Sequence, residues 1–455
     1  MLPLLLFVAA LAALAVFGVV PLVLAVRLKA HAAAGTRRLP VAGAEGGAGQ
    51  ARCAVILPCR GLEPGLEDNL RAVLAQDFPA CEVLLATTAG DASLPLLSRL
   101  AAEEPSRVRV VLAPRSTTCA QKLANQLAAV ASVSPSVGTL AFVDSDGRLP
   151  PHFLRELVRP LDAPGVGLAT GWRWYLPERR RFWSYVRSAW NAGAMPFLVD
   201  NRHNIAFGGA MAIRRAIFER SGAAVGWRQA LSDGLSLARA VKGLGLEVRF
   251  APKCIAVSRE GGSLREVLEW TNRQVTISHV YMPEFWRFTA LAHAASILVL
   301  ALAVAAGCWA AGWAGAALAG GLYLGLLGAN ALLMVRTVAG MLEPGHGAEL
   351  RARRGEYLAA APAAAWLYGL NILRSALSRR IVWRGIAYEM ASPTETRVLA
   401  SQEPGEAAAG DGRAARPGAD RLARVARLAR GGRPARARAA SAAAGRPEEW
   451  FGSRN

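Results

Sequence analysis

The chain has 455 residues, 53% of them hydrophobic, and its 53 Lys and Arg against 33 Asp and Glu leave a net charge of +20. A mean hydropathy of +0.26 beside that charge points to a membrane protein with basic flanks. It argues against a nucleic-acid binder, which has no use for apolar runs of about 20 residues. The six cysteines, Cys53, Cys59, Cys81, Cys119, Cys254 and Cys308, form no CxxC pair. Neither a zinc site nor a disulfide scaffold is indicated, and reduced thiols facing a cytoplasm are expected.

Residues 1–26 carry no charge before Arg27 and are long enough to cross a bilayer. Without a charged leading region or a clear cleavage site they read as an uncleaved anchor rather than a signal peptide. Arg27, Lys29, Arg37 and Arg38 follow, which places the next part of the chain in the cytoplasm. Residues 27–50 read as a basic, Gly- and Ala-rich linker.

Residues 51–287 alternate strand-like and helix-like segments, the pattern of an α/β domain with a mostly parallel sheet. Cys53–Pro58, Glu82–Thr87, Val108–Leu112 and Thr139–Val143 are the predicted strands. Leu66, Leu70, Val73 and Leu74 share one helical face, and a further helix is expected over Cys119–Ala131. The fourth strand ends in Asp144-Ser145-Asp146-Gly147, at the carboxyl edge where open α/β sheets bind ligands. Two carboxylates so placed suit a hard divalent cation that in turn clamps a diphosphate, although an Asx turn uses the same residues. Asp233 stands just before a helix bearing Leu235, Leu237, Ala238 and Val241, where it is either an N-cap or a functional acid. The tryptophans Trp172, Trp174, Trp183 and Trp190 beside Arg179–Arg181 suit a helix at a membrane interface, or equally one packed on the sheet. His31, His152, His203, His279, His293 and His346 are scattered without metal-binding spacing.

Residues 288–390 form a membrane region. Ala290–Val335 is apolar for about 45 residues, enough for two spans joined near Trp309–Gly315. Tyr357–Leu373 is short and interrupted by Pro362 and Asn371, and Arg374, Arg379, Arg380 and Arg384 follow it. It is expected to be re-entrant or interfacial, for three full spans in all. Residues 391–455 read as a disordered Arg- and Ala-rich tail, suited to anionic lipid, to non-specific nucleic-acid binding or to no function.

The runs AVILPCRGLEPGLEDNLRAVLAQDFPACEVLLAT, AQKLANQL, VDSDGRLPPHFL, GGAMAIRRAIFERSG, SDGLSLARAVKGLGLEVRFAP, EWTNRQ and RRIVWRGIAYEM resemble family 2 glycosyltransferases, especially the ceramide glucosyltransferase-like branch. The resemblance spans about Cys53 to Met390 and implies a GT-A-type fold. It implies that Asp144 and Asp146 hold Mg2+ or Mn2+ and, through it, a nucleotide-sugar diphosphate, and that Asp233 is the base of a single inverting displacement. Lys122, Arg60 and Glu63 match stretches that contact the donor. Two stretches depart from the pattern. Ala89 stands where the family has a base-binding aspartate, leaving Asp91 as the substitute. The (Q/R)xxRW signature reads EVLEW at Glu266–Trp270, so that Trp270 survives and only Arg273 restores a cation near the diphosphate. A lipid acceptor at the cytoplasmic face of the cell (inner) membrane follows from the flanking spans and the branch resembled. Transfer to another lipid or a polysaccharide, an inactive scaffold, and a phosphatase of the haloacid dehalogenase type are the other readings; the last lacks its second acidic loop.

Overall fold

The structure, a computed structural model, describes residues 1–36, 52–78, 81–201 and 204–401. The predicted linker beyond residue 36, with Arg37 and Arg38, and the tail beyond residue 401 lie outside the described residues.

Seven strands form one sheet: β1 Arg52–Pro58, β2 Cys81–Thr88, β3 Val108–Ala113, β4 Val137–Val143, β5 Val166–Tyr175, β6 Ala210–Arg214 and β7 Glu247–Ser258. Their spatial order is β3-β2-β1-β4-β6-β5-β7, and only β6 runs against the rest. The α/β architecture with a mostly parallel sheet expected from the sequence is the fold observed. The central strands are apolar throughout because both faces are covered. Along β4, Leu140 and Phe142 join one core with Leu123, Trp227 and Leu237, while Ala141 and Val143 join the other with Leu70, Leu97 and Phe153.

This topology concentrates chain ends at one edge. β1 delivers the Arg60–Glu63 loop there, β4 the two aspartates, β5 Arg173, and β7 Glu260. The helix Gln121–Ala131, which follows β3, starts at the same edge. β6 runs the other way, so its entry glycines, Gly208 and Gly209, also lie there; the amide of Asp144 donates to the Gly209 carbonyl at 3.2 Å.

The N-terminal helix continues to Thr36, ten residues into the predicted linker. Residues Pro283–Ala339 are helical except at Ala311 and Gly312, where the chain turns within the predicted connection. Residues 307 and 315 would stand about 12 Å apart along a straight helix. Yet a Cβ on Gly307 would lie 2.6 Å from the Gly315 carbonyl carbon and 2.9 Å from the Phe7 ring. The segment is therefore a helical hairpin packed against the N-terminal helix, and these two apolar segments are long enough to cross a membrane.

Helix Arg354–Leu377 packs on the large-sheet domain through Tyr357, Ala360, Ala364 and Leu367, and leaves Trp366, Leu370, Leu373 and Leu377 exposed on another face. After it comes a three-stranded sheet of β8 Arg380–Trp383, β9 Ile386–Ser392 and β10 Glu395–Ser401. The expectation of disorder from residue 391 fails for these first residues. Strand β10 pairs with β9, and its Val398 packs on the core that β9 shares with the large sheet.

Replacing Gly307 by Leu should force the hairpin apart and destabilise it by about 1–3 kcal/mol. Thermal unfolding in detergent would show this as a fall of several degrees against an exposed control such as Gly321→Leu.

Candidate functional site

Below the carboxyl edge lies a cavity of about 1220 Å³ whose deep end is charged and whose mouth is aromatic. Its floor is a line of alternating charges. The Lys122 ammonium stands 2.6 Å from Asp144 Oδ1 and 2.8 Å from Asp233 Oδ2. The Arg173 guanidinium donates to Asp144 Oδ2 at 2.7 Å and to Asp146 Oδ2 at 2.7 Å. Arg384 reaches Glu63 at 2.8 Å and Asp146 at 3.5 Å.

Each partner is placed by a local rule that the site either uses or overrides. Lys122 sits in the first turn of its helix, where the macrodipole disfavours a cation, so two carboxylates must hold it. Asp233 is not the N-cap; that role belongs to Ser232, whose side chain accepts from the Leu235 amide. Asp233 is instead the first helical residue, its Oδ1 accepting from the Gly234 amide at 2.9 Å and its Oδ2 from Gln126 at 2.9 Å. The GGA run supplies room. A Cβ on Gly208 would fall 2.1 Å from Asp233 Oδ1, and one on Gly209 2.4 Å from Asp144 Oδ2.

Electrostatics follows the geometry. Burial by itself would raise Asp146 and Asp233; Arg173 and Arg384 hold the first well below the usual carboxylate range, and Lys122 lowers the second. For Glu63 burial outweighs Arg384 and pushes the carboxyl up to about 7. Burial also lowers Arg273 to about 10, because no carboxylate pairs with it among the described residues; its guanidinium lies over Trp383 at 5.5 Å. A buried, unpaired cation lining a cavity favours an anionic ligand.

The structure brings together most of the predicted site. Asp144, Asp146, Asp233, Lys122, Arg60, Glu63, Trp270 and Arg273 all line the cavity. Asp91 does not; its Oδ1 accepts from the Gly61 and Ser93 amides at 2.8 and 2.9 Å and so braces the Arg60 loop from behind. The acidic residues of EVLEW also face away. Glu266 completes the capping box of helix Leu264–Tyr281, and Glu269 pairs with Arg265 in solvent. Trp270 packs edge-on against Tyr175 and Trp190, with the Arg187 guanidinium 5.0 Å from its ring. Arg173, Arg187, Glu260 and Arg384 escaped the sequence reading. Arg384 alone left a signal there, in RRIVWRG.

The donor set fits a hard cation. Oxygens of Glu63, Asp146 and Glu260 lie within 4.8 Å of one another, and Glu63 Oε2 is buried without a hydrogen-bond partner. Hard oxygen donors in this arrangement match Mg2+ or Mn2+. Asp144 stands beside this group, tied to Lys122 and Arg173.

Fold and site are those of a glycosyltransferase. The sequence model described as glycosyl transferase family 21 matches residues 11–396, and the chain belongs to that family. This bears out the transferase resemblance at its coarser level, and the family 2 branch is broadly consistent with it. A search among curated proteins finds no match. Similar solved structures include the mannosyltransferase PcManGT from Pyrobaculum calidifontis in complex with GDP-Man and Mn2+, 22% identical over 79% of this chain and 99% of that one, TM-score 0.46. Another is S. aureus TarS 1-349 in complex with UDP-GlcNAc, 13% identical over 77% and 100%, TM-score 0.33. A third is glucosyl-3-phosphoglycerate synthase from Mycobacterium tuberculosis with Mn2+, UDP and glucosyl-3-phosphoglycerate, 17% identical over 50% and 79%, TM-score 0.31.

Gly208→Ala should push Asp233 out of place and lower turnover about 100-fold or more, with thermal stability falling by far less than a core cavity would cause. Steady-state kinetics beside a melting curve would check both halves.

Proposed function

We propose that the chain transfers a sugar from a nucleoside diphosphate donor, best a UDP-sugar, to the hydroxyl of a lipid at the cytoplasmic face of the cell (inner) membrane. The observation that carries this reading is the two-ended cavity. Its charged groups match a diphosphate, while Leu24 of the N-terminal helix and Phe285 and Phe288 at the start of the hairpin add an apolar part to its lining. Phe288 is 63% exposed, and the apolar helices beside it leave most of their surface uncovered, which suits lipid as their surroundings.

When bound by Asp144 and Asp146, with Glu63 and Glu260 alongside, Mg2+ or Mn2+ supplies positive charge against the leaving diphosphate. Asp233 takes the proton of the acceptor hydroxyl as that oxygen bonds to the anomeric carbon and the bond to the diphosphate breaks. Inversion follows from the single displacement. Lys122 orients Asp233 and adds positive charge at the donor end, and Arg273 offers the unpaired cation that the altered EVLEW signature needs. Trp270, packed by Tyr175 and Trp190, forms an apolar wall beside the reacting centre.

The N-terminal helix and the hairpin would make three spans, and helix Arg354–Leu377 would lie along the interface with Trp366, Leu370, Leu373 and Leu377 toward lipid. Strands β8–β10 then share the compartment of the large sheet, since the backbone amide of Gln121, at the start of helix Gln121–Ala131, donates to the Tyr388 hydroxyl at 3.2 Å. A reporter that is active only in the periplasm, fused after Met390, should stay silent; a signal there would overturn the three-span arrangement.

Incubation of membranes with labelled UDP-sugars should put label into the organic-extractable fraction. A chelator should abolish that transfer, and Asp233→Asn should lower it by about 10²–10⁴-fold. Label confined to aqueous polymer would refute the lipid acceptor, and undiminished transfer by Asp233→Asn would refute its role as base.

A further inference from the structure

One arginine in the cavity wall holds a backbone conformation that its residue type disfavours. Trp383 and Ile386 pair across the β8–β9 turn, which leaves Arg384 and Gly385 as its two residues. Both have positive φ, 49° and 77°. Such a turn is the type I′ hairpin, for which Asn-Gly is the favoured pair. Among the described residues Arg384 is the only non-glycine with positive φ. Asn would relieve the turn, so what stands at this tip serves something other than turn formation.

The side chain shows where that service lies. Its guanidinium meets Glu63 Oε1 at 2.8 Å and Asp146 Oδ2 at 3.5 Å, and donates to the Arg60 carbonyl at 3.0 Å. The hairpin beneath it is firmly seated: Ile381, Ile386, Tyr388 and Met390 are buried in the core that also holds Leu123 and Tyr281. Arg273, the unpaired cation, stacks on Trp383, the residue just before the tip. The Arg384 guanidinium thus borders Asp146 from the hairpin side, ion-paired with two carboxylates that a divalent cation would also claim, while Arg273 lies over the neighbouring Trp383.

Resting on the nucleotide-donor reading, we propose that Arg384 is a donor clamp. In the donor complex its planar fork leaves Glu63 and binds the outer phosphate of the nucleoside diphosphate, so that the leaving group is held between Arg384 and the cation at Asp146. A guanidinium suits this task because two parallel N–H bonds match two phosphate oxygens, which an ammonium cannot do. Glu63, once released, is free to turn toward the cation. The strain at residue 384 is the consequence of placing that fork at the tip of the β8–β9 turn.

The test uses the purified full-length protein and compares wild type, Arg384→Asn, Arg384→Lys, Glu63→Gln and the double variant Arg384→Asn with Glu63→Gln. Turnover is measured with the labelled sugar donor, and binding of UDP and of GDP by calorimetry. Arg384→Asn suits the turn, so its melting temperature should hold or rise. Its affinity for the nucleoside diphosphate should fall about tenfold and its turnover about 100-fold, with Arg384→Lys between it and wild type. The double variant should fall as far below Glu63→Gln as Arg384→Asn falls below wild type. A double variant equal to Glu63→Gln in both readouts would make Arg384 a mere counter-ion and overturn the clamp. Binding of neither UDP nor GDP by the wild type would instead overturn the nucleotide-donor reading, and the clamp with it.

Discussion

The site depends on one shared proton-rich group, the ammonium of Lys122 between Asp144 and Asp233. It ties Asp144, at the end of β4, to Asp233, at the start of a helix, two elements that meet only in the folded chain. Neither carboxylate is in bulk water, and in that lower dielectric an ion pair is both stronger when made and more damaging when broken. Removing the ammonium would leave two buried acids facing each other, a loss on the order of 3–5 kcal/mol for a broken buried pair. The helix start that disfavours Lys122 is therefore tolerated, because the two acids outweigh the dipole.

Around this contact the fold imposes convergence. A mostly parallel sheet sends successive strand ends to one edge, so residues far apart in sequence become neighbours without long loops. Glycine then decides how closely they can approach: Gly208 and Gly209 leave room for Asp233 and Asp144 that any side chain would fill. The apolar helices are not appendages to this arrangement. Ala25, Leu28 and Val335 share a core with Trp174, Tyr185 and Tyr357, which sets the aromatic mouth of the cavity beside the segments that suit lipid.

Much of this was legible from residue patterns. The first four strands, the Asp144 and Asp146 pair and the hairpin turn near residue 311 follow from local periodicity and turn chemistry, whereas Lys122, Trp270 and Arg273 came from the family resemblance and the other strands were not foreseen. Asp91 was legible as an acid near the donor loop but not as a brace for Gly61, since only the loop geometry tells which way its carboxylate points. The two acids of EVLEW looked like a damaged binding motif. The helix shows them as a cap and a surface pair, a matter of which side of the helix each one occupies. Trp172 and Trp174, read in the sequence as part of a helix, lie instead in strand β5, so Arg173 between them shows as a charge in a buried strand only in the structure, where its carboxylate partners mark its place.

By itself the sequence determined an α/β domain with a mostly parallel sheet, its paired aspartates and its two long apolar segments, because these arise from periodicity and composition within a few dozen residues. Tertiary structure alone decided that Arg384, beyond the apolar hairpin, sits over Asp146, that Glu260 and Glu63 join that aspartate, and that Asp91 does not. Those placements depend on pairing between residues separated by tens to hundreds of positions, and a buried charge finds its partner only after the sheet has brought the strand ends together.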